Sequence, residues 1–320
     1  MSTISFIIPA YNAEKFIGEA IESALNQTRP AKEIIVVDDA STDRTVEIAR
    51  GFGERVKVLV NEKNSGPGHS RNAGVAASAG DYLAFLDADD ILLNQHLEIM
   101  GGLLDRWPEA GMAISCIKRF GFGEACPGPV WRCEPCLDKP ADLFALAMRG
   151  YLVHTCNHVY RKTAFHNVSG FRELDDFTRG RRIQVEDNDL FFRLSSQTQI
   201  VASREPTVLY RLHPDQSSRQ APGHTLLWRY RMRLLRELKR GKSRLYGLGL
   251  DRARRGWEEK LDRTWTDRDY RMLRSCVLYG LHEPDLRKIT CRYVFRALTP
   301  GWVVGFHDLV FRRVKNQAQS

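Results

Sequence analysis

The chain carries no glycine-rich phosphate loop. Neither G-x-x-x-x-G-K-[ST] nor G-x-G-x-x-G follows its first strand-like segment, where Pro9-Ala10-Tyr11-Asn12 stands instead. A sheet that opens this way does not cradle phosphate with a run of backbone N–H groups. A nucleotide bound to it needs a metal to carry much of the phosphate charge. Long apolar runs are missing too. None approaches the roughly 18–20 residues of a membrane-spanning helix, and MSTISFIIPAYN has neither the basic start nor the apolar length of a secretion signal. These absences lead to the expectation of a cytoplasmic protein, free or peripheral on the cytoplasmic face of the membrane. Cysteine is sparse, seven residues and an odd number, which argues against a disulfide framework. Cys133-Glu-Pro-Cys136 is the one close pair. A structural zinc site wants a second pair or spaced histidines, so free thiols are the better reading.

What is present is an ordinary globular composition, 43% hydrophobic and 27% charged, enough for a sizeable core. The net charge of +9 is unevenly spread. Ala221–Ser320 holds 23 Lys/Arg against 10 Asp/Glu, which leaves 25 against 29 for the first 220 residues. An acidic N-terminal body is therefore joined to a basic C-terminal portion, with QSSRQAPG (216–223) as the candidate linker.

Residues 4–90 alternate between strand and helix signals. Ile4–Pro9, Glu33–Val37, Val56–Val60 and Asp81–Leu86 read as strands. Asn12 is placed to cap a helix with Ile17, Ala20, Ile21, Ala24 and Leu25 on its apolar face. Thr42 or Asp43 caps a second helix to about Arg50, and Arg71–Ala79 reads as a third, rich in small residues. Such alternation predicts a mostly parallel sheet with helices on both faces. Further on, Gln95–Trp107, Leu143–Arg149 and Asp189–Ser195 look helical. Met112–Lys118 and Thr207–Leu212 look like strands, and 121–140 looks like a loop.

Ligands of such sheets collect outside the carboxyl ends of the strands, and polar residues stand there: Tyr11-Asn12, Asp38-Asp39 and Asp87-Ala88-Asp89-Asp90. Two carboxylates one residue apart at a strand end repel each other without a cation, and hard divalent ions prefer carboxylate oxygen. A solvated Asp-rich turn is the bland alternative. Asp39 has two candidate tasks, accepting an N–H of a pyrimidine base or closing the turn Asp39–Asp43 in the manner of an N-cap.

These residues, in this order, resemble the inverting glycosyltransferases of family 2, which have the GT-A fold. The likeness runs over Ser5–Ser218 through FIIPAYNAEKFIGEAIESALNQT, EIIVVDDASTDRT, NSGPGHSRNAG, AGDYLAFLDADD, VEDNDLFFRL and YRLHPDQSS. The resemblance implies a Rossmann-like, mostly parallel sheet with a nucleotide-binding part over 1–95 and an acceptor-side part over 96–220; outside the likeness, the pattern of 221–320 itself reads as a basic, mainly helical extension. The resemblance also implies that Pro9, Ala10, Tyr11 and Asn12 line the nucleotide pocket, with Glu14 near the ribose and Arg71 facing the nucleotide. Asp39 would bond the base, which favours a UDP-sugar donor. Asp87 and Asp89 would be the D-x-D pair holding Mn²⁺ or Mg²⁺, Asp89 most directly, with His213 beside the metal and diphosphate. Asp187 would be the catalytic base and Glu186 its rival. The acceptor would be a saccharide or a lipid-linked molecule in polysaccharide, lipopolysaccharide or glycolipid assembly. Taken without the family, Arg71 is a surface arginine and His213 a hydrogen-bonded loop histidine.

Two other functions compete. A nucleotidyltransferase also uses metal carboxylates on an α/β sheet, but would normally carry a Gly-rich or basic phosphate loop near the first strand. A non-catalytic nucleotide-sugar-binding protein would need neither Asp187 nor the D-x-D. The C-terminal hundred residues interleave Arg and Lys with Trp, Phe, Leu and Tyr, as in WRYRMRLLRELKR. That suits a helical cap on the catalytic part or an anionic membrane surface. Nucleic acid is the least favoured partner, and no sequence signal sets an oligomeric state.

Overall fold

The computed structural model describes residues 1–121, 138–144, 154–172, 186–214 and 245–266, with short pieces within 232–240 and 285–291. The chain divides into two compact units, Met1–Ala147 with Tyr151–Gly223, and Met148–Gly150 with His224–Ser320.

The first unit is built on eight strands: β1 (Ile4–Ala10), β2 (Glu33–Asp38), β3 (Lys57–Val60), β4 (Tyr82–Phe85), β5 (Ile91–Leu92), β6 (Ala110–Gly121), β7 (His158–Arg161) and β8 (Gln199–Leu212). They form one sheet in the order β3-β2-β1-β4-β7-β6-β8-β5. The β3-β2-β1-β4 half is parallel, with Ile7 opposite Ile35 on one side and Phe85 on the other. The second half is mixed. β7 runs antiparallel to both β4 and β6, and β6 pairs β8 in parallel. Because β7 reverses direction between them, β6 and β8 end on the same edge of the sheet as β1, β2 and β4. That shared edge collects the chemistry.

Helices α1 (Ile17–Leu25), α2 (Thr45–Arg50), α3 (Pro67–Ala76), α4 (His96–Arg106), α5 (Lys162–Asn167) and α6 (Glu186–Ser195) complete the unit. Alternation along β1 divides its side chains between two layers. Ile4, Phe6, Ile8 and Ala10 share a core with Ile17, Ala20, Ile21 and Ala24 of α1 and Leu97, Met100 and Leu104 of α4. Ile7 points the other way, toward Gly74 of α3. A fully buried Ile or Phe of this kind contributes about 1.5–3 kcal/mol relative to exposure.

The elements differ from the sequence expectation in places. Asn12 does not cap α1. The helix starts at Ile17, and the Asn12 side chain accepts the N–H of Thr42 at 2.9 Å from a backbone at φ 47°. Asp43 does act at the start of α2, accepting the N–H of Thr45 at 3.0 Å. Helix α3 begins four residues before Arg71, with Pro67 in its first turn and Gly66 at φ 90° ahead of it. Helix α6 begins at Glu186, so Glu186 and Asp187 are its first two residues. Strand β8 begins at Gln199 rather than Thr207, while β5, β7 and α5 were not expected. The loop 122–137, with Cys133 and Cys136, and the linker 216–223 lie outside the described residues, and so does most of the helix expected over 143–149. Cys116, Cys156 and Cys291 are free thiols.

In the second unit, α7 (Leu245–Thr266) is amphipathic. Trp257 is fully buried and donates its indole N–H to Thr290 Oγ1 at 3.1 Å. Among the described residues no helix is long and apolar enough to cross a membrane.

Candidate active site

Three loops at the carboxyl edge of the sheet are tied together by side chains. Asp39 follows β2 and is almost fully buried. Its Oδ1 accepts Asn61 Nδ2 and the Ser65 N–H, each at 2.9 Å, and its Oδ2 accepts the Gly66 N–H at 2.7 Å. Asp39 therefore holds the loop that leads into α3. The turn closure considered for it belongs to Asp38, whose Oδ2 accepts the Ser41 N–H at 2.9 Å. Glu14 and Asp43 exchange contacts across the first two loops, the Glu14 N–H donating to Asp43 Oδ2 and the Arg44 N–H to Glu14 Oε2. Pro9 and Ala10 are the last residues of β1. Ala10 packs in the core, and its carbonyl accepts the Asp39 N–H at 2.8 Å. Tyr11, just beyond, is 52% exposed.

The acidic turn after β4 runs straight into β5. The Asp90 N–H closes it on the Asp87 carbonyl at 3.0 Å. Asp89 Oδ2 lies 3.0 Å from His213 Nε2, at the end of β8. His213 thus meets the acidic turn, and its ring packs tilted against Phe16, 4.8 Å between centroids. Asp90 is buried, with Oδ1 accepting the Arg211 N–H at 2.9 Å and Oδ2 left without a partner. Burial first, and the neighbouring Asp87 charge second, raise the Asp89 carboxyl above the usual range. The same two causes with Asp89 added raise Asp90 further. Crowded, mutually repelling carboxylates with an unpaired buried oxygen are the donor chemistry of a hard divalent cation. Asp87, Asp90 and Cys156 also bring one ligand atom each within 4.8 Å of one another. Burial, and then the Asp90 charge, hold the Cys156 thiol protonated. A protonated thiol is a poor ligand for a hard cation, so the carboxylates of the turn are the groups suited to a divalent ion.

Arg71 is not a surface arginine. Its guanidinium is buried, donating from Nη2 to Asp87 Oδ1 at 2.7 Å and from Nη1 to Glu186 Oε1 at 3.1 Å, and lying 5.3 Å from the Phe171 ring centroid. Burial works against its charge, but Asp87 and Glu186 outweigh that and raise its pKa. One cation on α3 therefore joins the acidic turn to the first turn of α6. Asp187, next along α6, accepts Asn188 N and Nδ2 on Oδ1, at 2.6 and 2.9 Å. Burial, then the Glu186 charge, push Asp187 up to about 7. A carboxylate near neutrality is suited to taking a proton from a hydroxyl. A second anchor holds α6 in place: Arg193 pairs with Asp189 within the helix and reaches the carbonyls of Val168 and Gly170.

Sequence reasoning singled out the acidic turn, Arg71, Asp187 and His213, which the fold brings to one edge. It passed over Arg211, Cys156 and the joining role of Arg71. Arg211 had a visible signal, since it stands two positions before His213 and strand alternation puts both on one face.

A mixed α/β sheet with an acidic turn and a helix-borne carboxylate at its carboxyl edge is the GT-A arrangement of glycosyltransferases. A family model described as glycosyl transferase family 2 matches residues 5–168, and the chain belongs to that family. An uncharacterized glycosyltransferase of Haemophilus influenzae is 43% identical over 101 residues, 31% of this chain. This match spans only 40% of the Haemophilus protein's length. The succinoglycan biosynthesis protein ExoO of Rhizobium meliloti is 38% identical over 113 residues, 35% of this chain and 32% of ExoO. Among solved structures, S. aureus TarS 1-349 in complex with UDP-GlcNAc superposes with a TM-score of 0.63 at 20% identity, over 82% of this chain and 73% of that one. That likeness speaks for the fold.

Proposed function

We propose that this glycosyltransferase moves a sugar from a UDP-sugar to an acceptor hydroxyl with inversion at the anomeric carbon, with residues 1–220 as the catalytic part. The observation that carries the reading is the Asp87–Arg71–Glu186 bridge. It ties the cation-type turn to the helix bearing Asp187, two groups that an in-line displacement needs on opposite sides of the sugar. Asp187 takes the acceptor proton as the new glycosidic bond forms. Asp87, Asp89 and His213 hold Mn²⁺ or Mg²⁺, which when bound supplies Lewis-acid neutralisation of the departing diphosphate. Tyr11, with the backbone of Pro9, Ala10 and Asn12, flanks the nucleotide, with Glu14 toward the ribose. Asp39 shapes the base pocket through the loop it holds and reaches the base itself. Arg71 faces the diphosphate side of the cleft. TarS, solved with UDP-GlcNAc, supports a uridine donor. ExoO, named for succinoglycan biosynthesis, supports a place in polysaccharide assembly, with a saccharide or lipid-linked acceptor as our reading. The basic, aromatic-rich composition of 221–320 supports association with anionic lipid at the cytoplasmic face.

The test is a panel of nucleotide-sugars with Mn²⁺, followed by thermal shift. A donor that binds only the folded state raises stability by about 2.7 kcal/mol at 100 times its Kd. The expected result is a shift with a UDP-sugar that disappears in Asp89→Ala. A flat panel with Mn²⁺ present overturns the reading.

A further inference from the structure

Arg211 lies against two aromatic rings, and two of its hydrogen bonds go to the acidic turn. Its guanidinium carbon lies 5.0 Å from the Phe16 ring centroid and 4.6 Å from that of Phe120. Nε donates to the main-chain carbonyl of Asp89 at 2.8 Å and Nη2 to Glu19 Oε2 at 2.7 Å. The backbone N–H of the same residue donates to Asp90 Oδ1. Two positions on, His213 Nε2 meets Asp89 Oδ2, and the His213 ring shares Phe16 with Arg211. Phe16 precedes α1, and Phe120 and Arg211 are the next-to-last residues of β6 and β8, so the ends of α1, β6 and β8 meet at this side chain.

We propose that Arg211 is a positioning residue: by fixing the main chain of Asp89 and the carboxylate of Asp90 to the end of β8, it sets Asp89 and His213 at the separation that a single divalent cation bridges. This inference rests on the metal-assisted reading above and deepens it. The residue type follows from the contacts. A planar guanidinium lies against aromatic rings while donating in its own plane to two acceptors, which an ammonium does not do. Lysine keeps the charge and loses the fork. Without the fork, the Asp89 carbonyl is released, and the Asp89 side chain is no longer registered against His213. Groups that orient metal ligands from outside commonly govern metal affinity as strongly as this.

The experiment is Mn²⁺ binding to the full chain, followed by electron paramagnetic resonance of the free ion, with and without UDP. The variants are Arg211→Lys, Arg211→Gly, Phe120→Leu and Asp89→Asn. Melting temperatures are read alongside to show that each variant is folded. Arg211→Lys is expected to weaken Mn²⁺ binding roughly 10- to 100-fold. Phe120→Leu, which removes one of the two rings, gives a smaller loss of the same sign and stands in if the arginine variant does not fold. In Arg211→Gly, millimolar guanidinium is expected to restore part of the affinity, whereas the same concentration of sodium does not. If Arg211→Lys and Phe120→Leu bind Mn²⁺ as the wild type does while Asp89→Asn loses it, the positioning role is overturned and the metal site stands. If Asp89→Asn binds as tightly as the wild type, the metal reading fails and takes this inference with it.

Discussion

Arg71 and Asp87 meet at 2.7 Å across the cleft edge, from α3 and the turn after β4, and the same guanidinium reaches Glu186 on α6. One buried cation thus balances two carboxylates from separate parts of the chain. Removing one partner of a buried pair costs about 3–5 kcal/mol because the other charge is left uncompensated. Asp87 is 31% exposed and recovers some hydration, so Arg71→Met is expected at the lower end, about 3 kcal/mol. Urea unfolding at neutral pH measures this. A midpoint equal to the wild type would mean that Asp87 and Glu186 do not depend on Arg71.

Asp187 is the group whose loss is expected to stop turnover without touching the donor. Asp187→Asn should lower kcat by about 10²- to 10⁴-fold with the donor KM little changed. Because burial and Glu186 push Asp187 up to about 7, the base is mostly protonated below that pH. The value of kcat/KM is therefore expected to rise with pH through about 7 and level off above it. Glu186→Gln removes the neighbouring negative charge, so its rising limb should move to lower pH. A pH–rate profile of the two proteins decides it; a limb that stays in place would assign it to another group.

Much of the parallel half of the sheet was legible because its strands are short, nearly continuous apolar runs such as EIIVV, which only a sheet covered on both faces explains. Strand β7 was not. It is four residues long and half of it is His158 and Tyr160, polar groups that satisfy each other at 2.8 Å inside the core. The start of α3 was hidden by Pro67 and Gly68, which read as loop although proline is favoured in a first helical turn. The acidic turn was legible because an apolar strand runs directly into it. The partners of Arg71 and Arg211 were not, since they lie 16, 115 and 122 positions away and periodicity carries no information about them.

Gly74 and Gly102 make a matched pair for packing. A Cβ at Gly74 would lie 2.4 Å from Ile7 Cγ2 and 3.2 Å from Val37 Cγ2, at the centre of the parallel strands. Alanine gains about 1 kcal/mol of helix propensity there, but overpacking costs about 1–3 kcal/mol. Since Ile7 is fully buried and cannot retreat, Gly74→Ala is expected to destabilise, by about 1–2 kcal/mol net. At Gly102 on α4 nothing lies within 4 Å, so Gly102→Ala should stabilise by about 0.5–1 kcal/mol. Denaturant midpoints of opposite sign are the outcome expected; equal signs would contradict the close approach of α3 to β1.

His96 gives the protein an acid limit. It is fully buried beneath Phe6, and its Nδ1 lies 2.7 Å from Thr207 Oγ1, whose own hydrogen goes to Ser115 Oγ at 2.6 Å. Nδ1 is thus tied to the Thr207–Ser115 pair, and Nε2 is buried with no partner. Protonating Nε2 would bury a charge and a donor with no acceptor, so burial lowers the His96 pKa to about 3. His158 is lowered to about 3 as well, by burial and then by the neighbouring histidines. In the unfolded chain both titrate near the ordinary value of about 6.5. At these two histidines the unfolded state binds more protons than the folded one between about 6.5 and 3, so their contribution to stability falls as pH drops through that window, while the raised carboxyl of Asp187 contributes with the opposite sign. His96→Asn keeps a polar atom near the Nδ1 position and removes the titration. Its stability against pH should lose one proton's worth of slope below about 6.5, whatever its offset at neutral pH. Urea unfolding from pH 7.5 down to 4.5 reads that slope, and parallel curves for the two proteins would show that His96 is already charged in the fold.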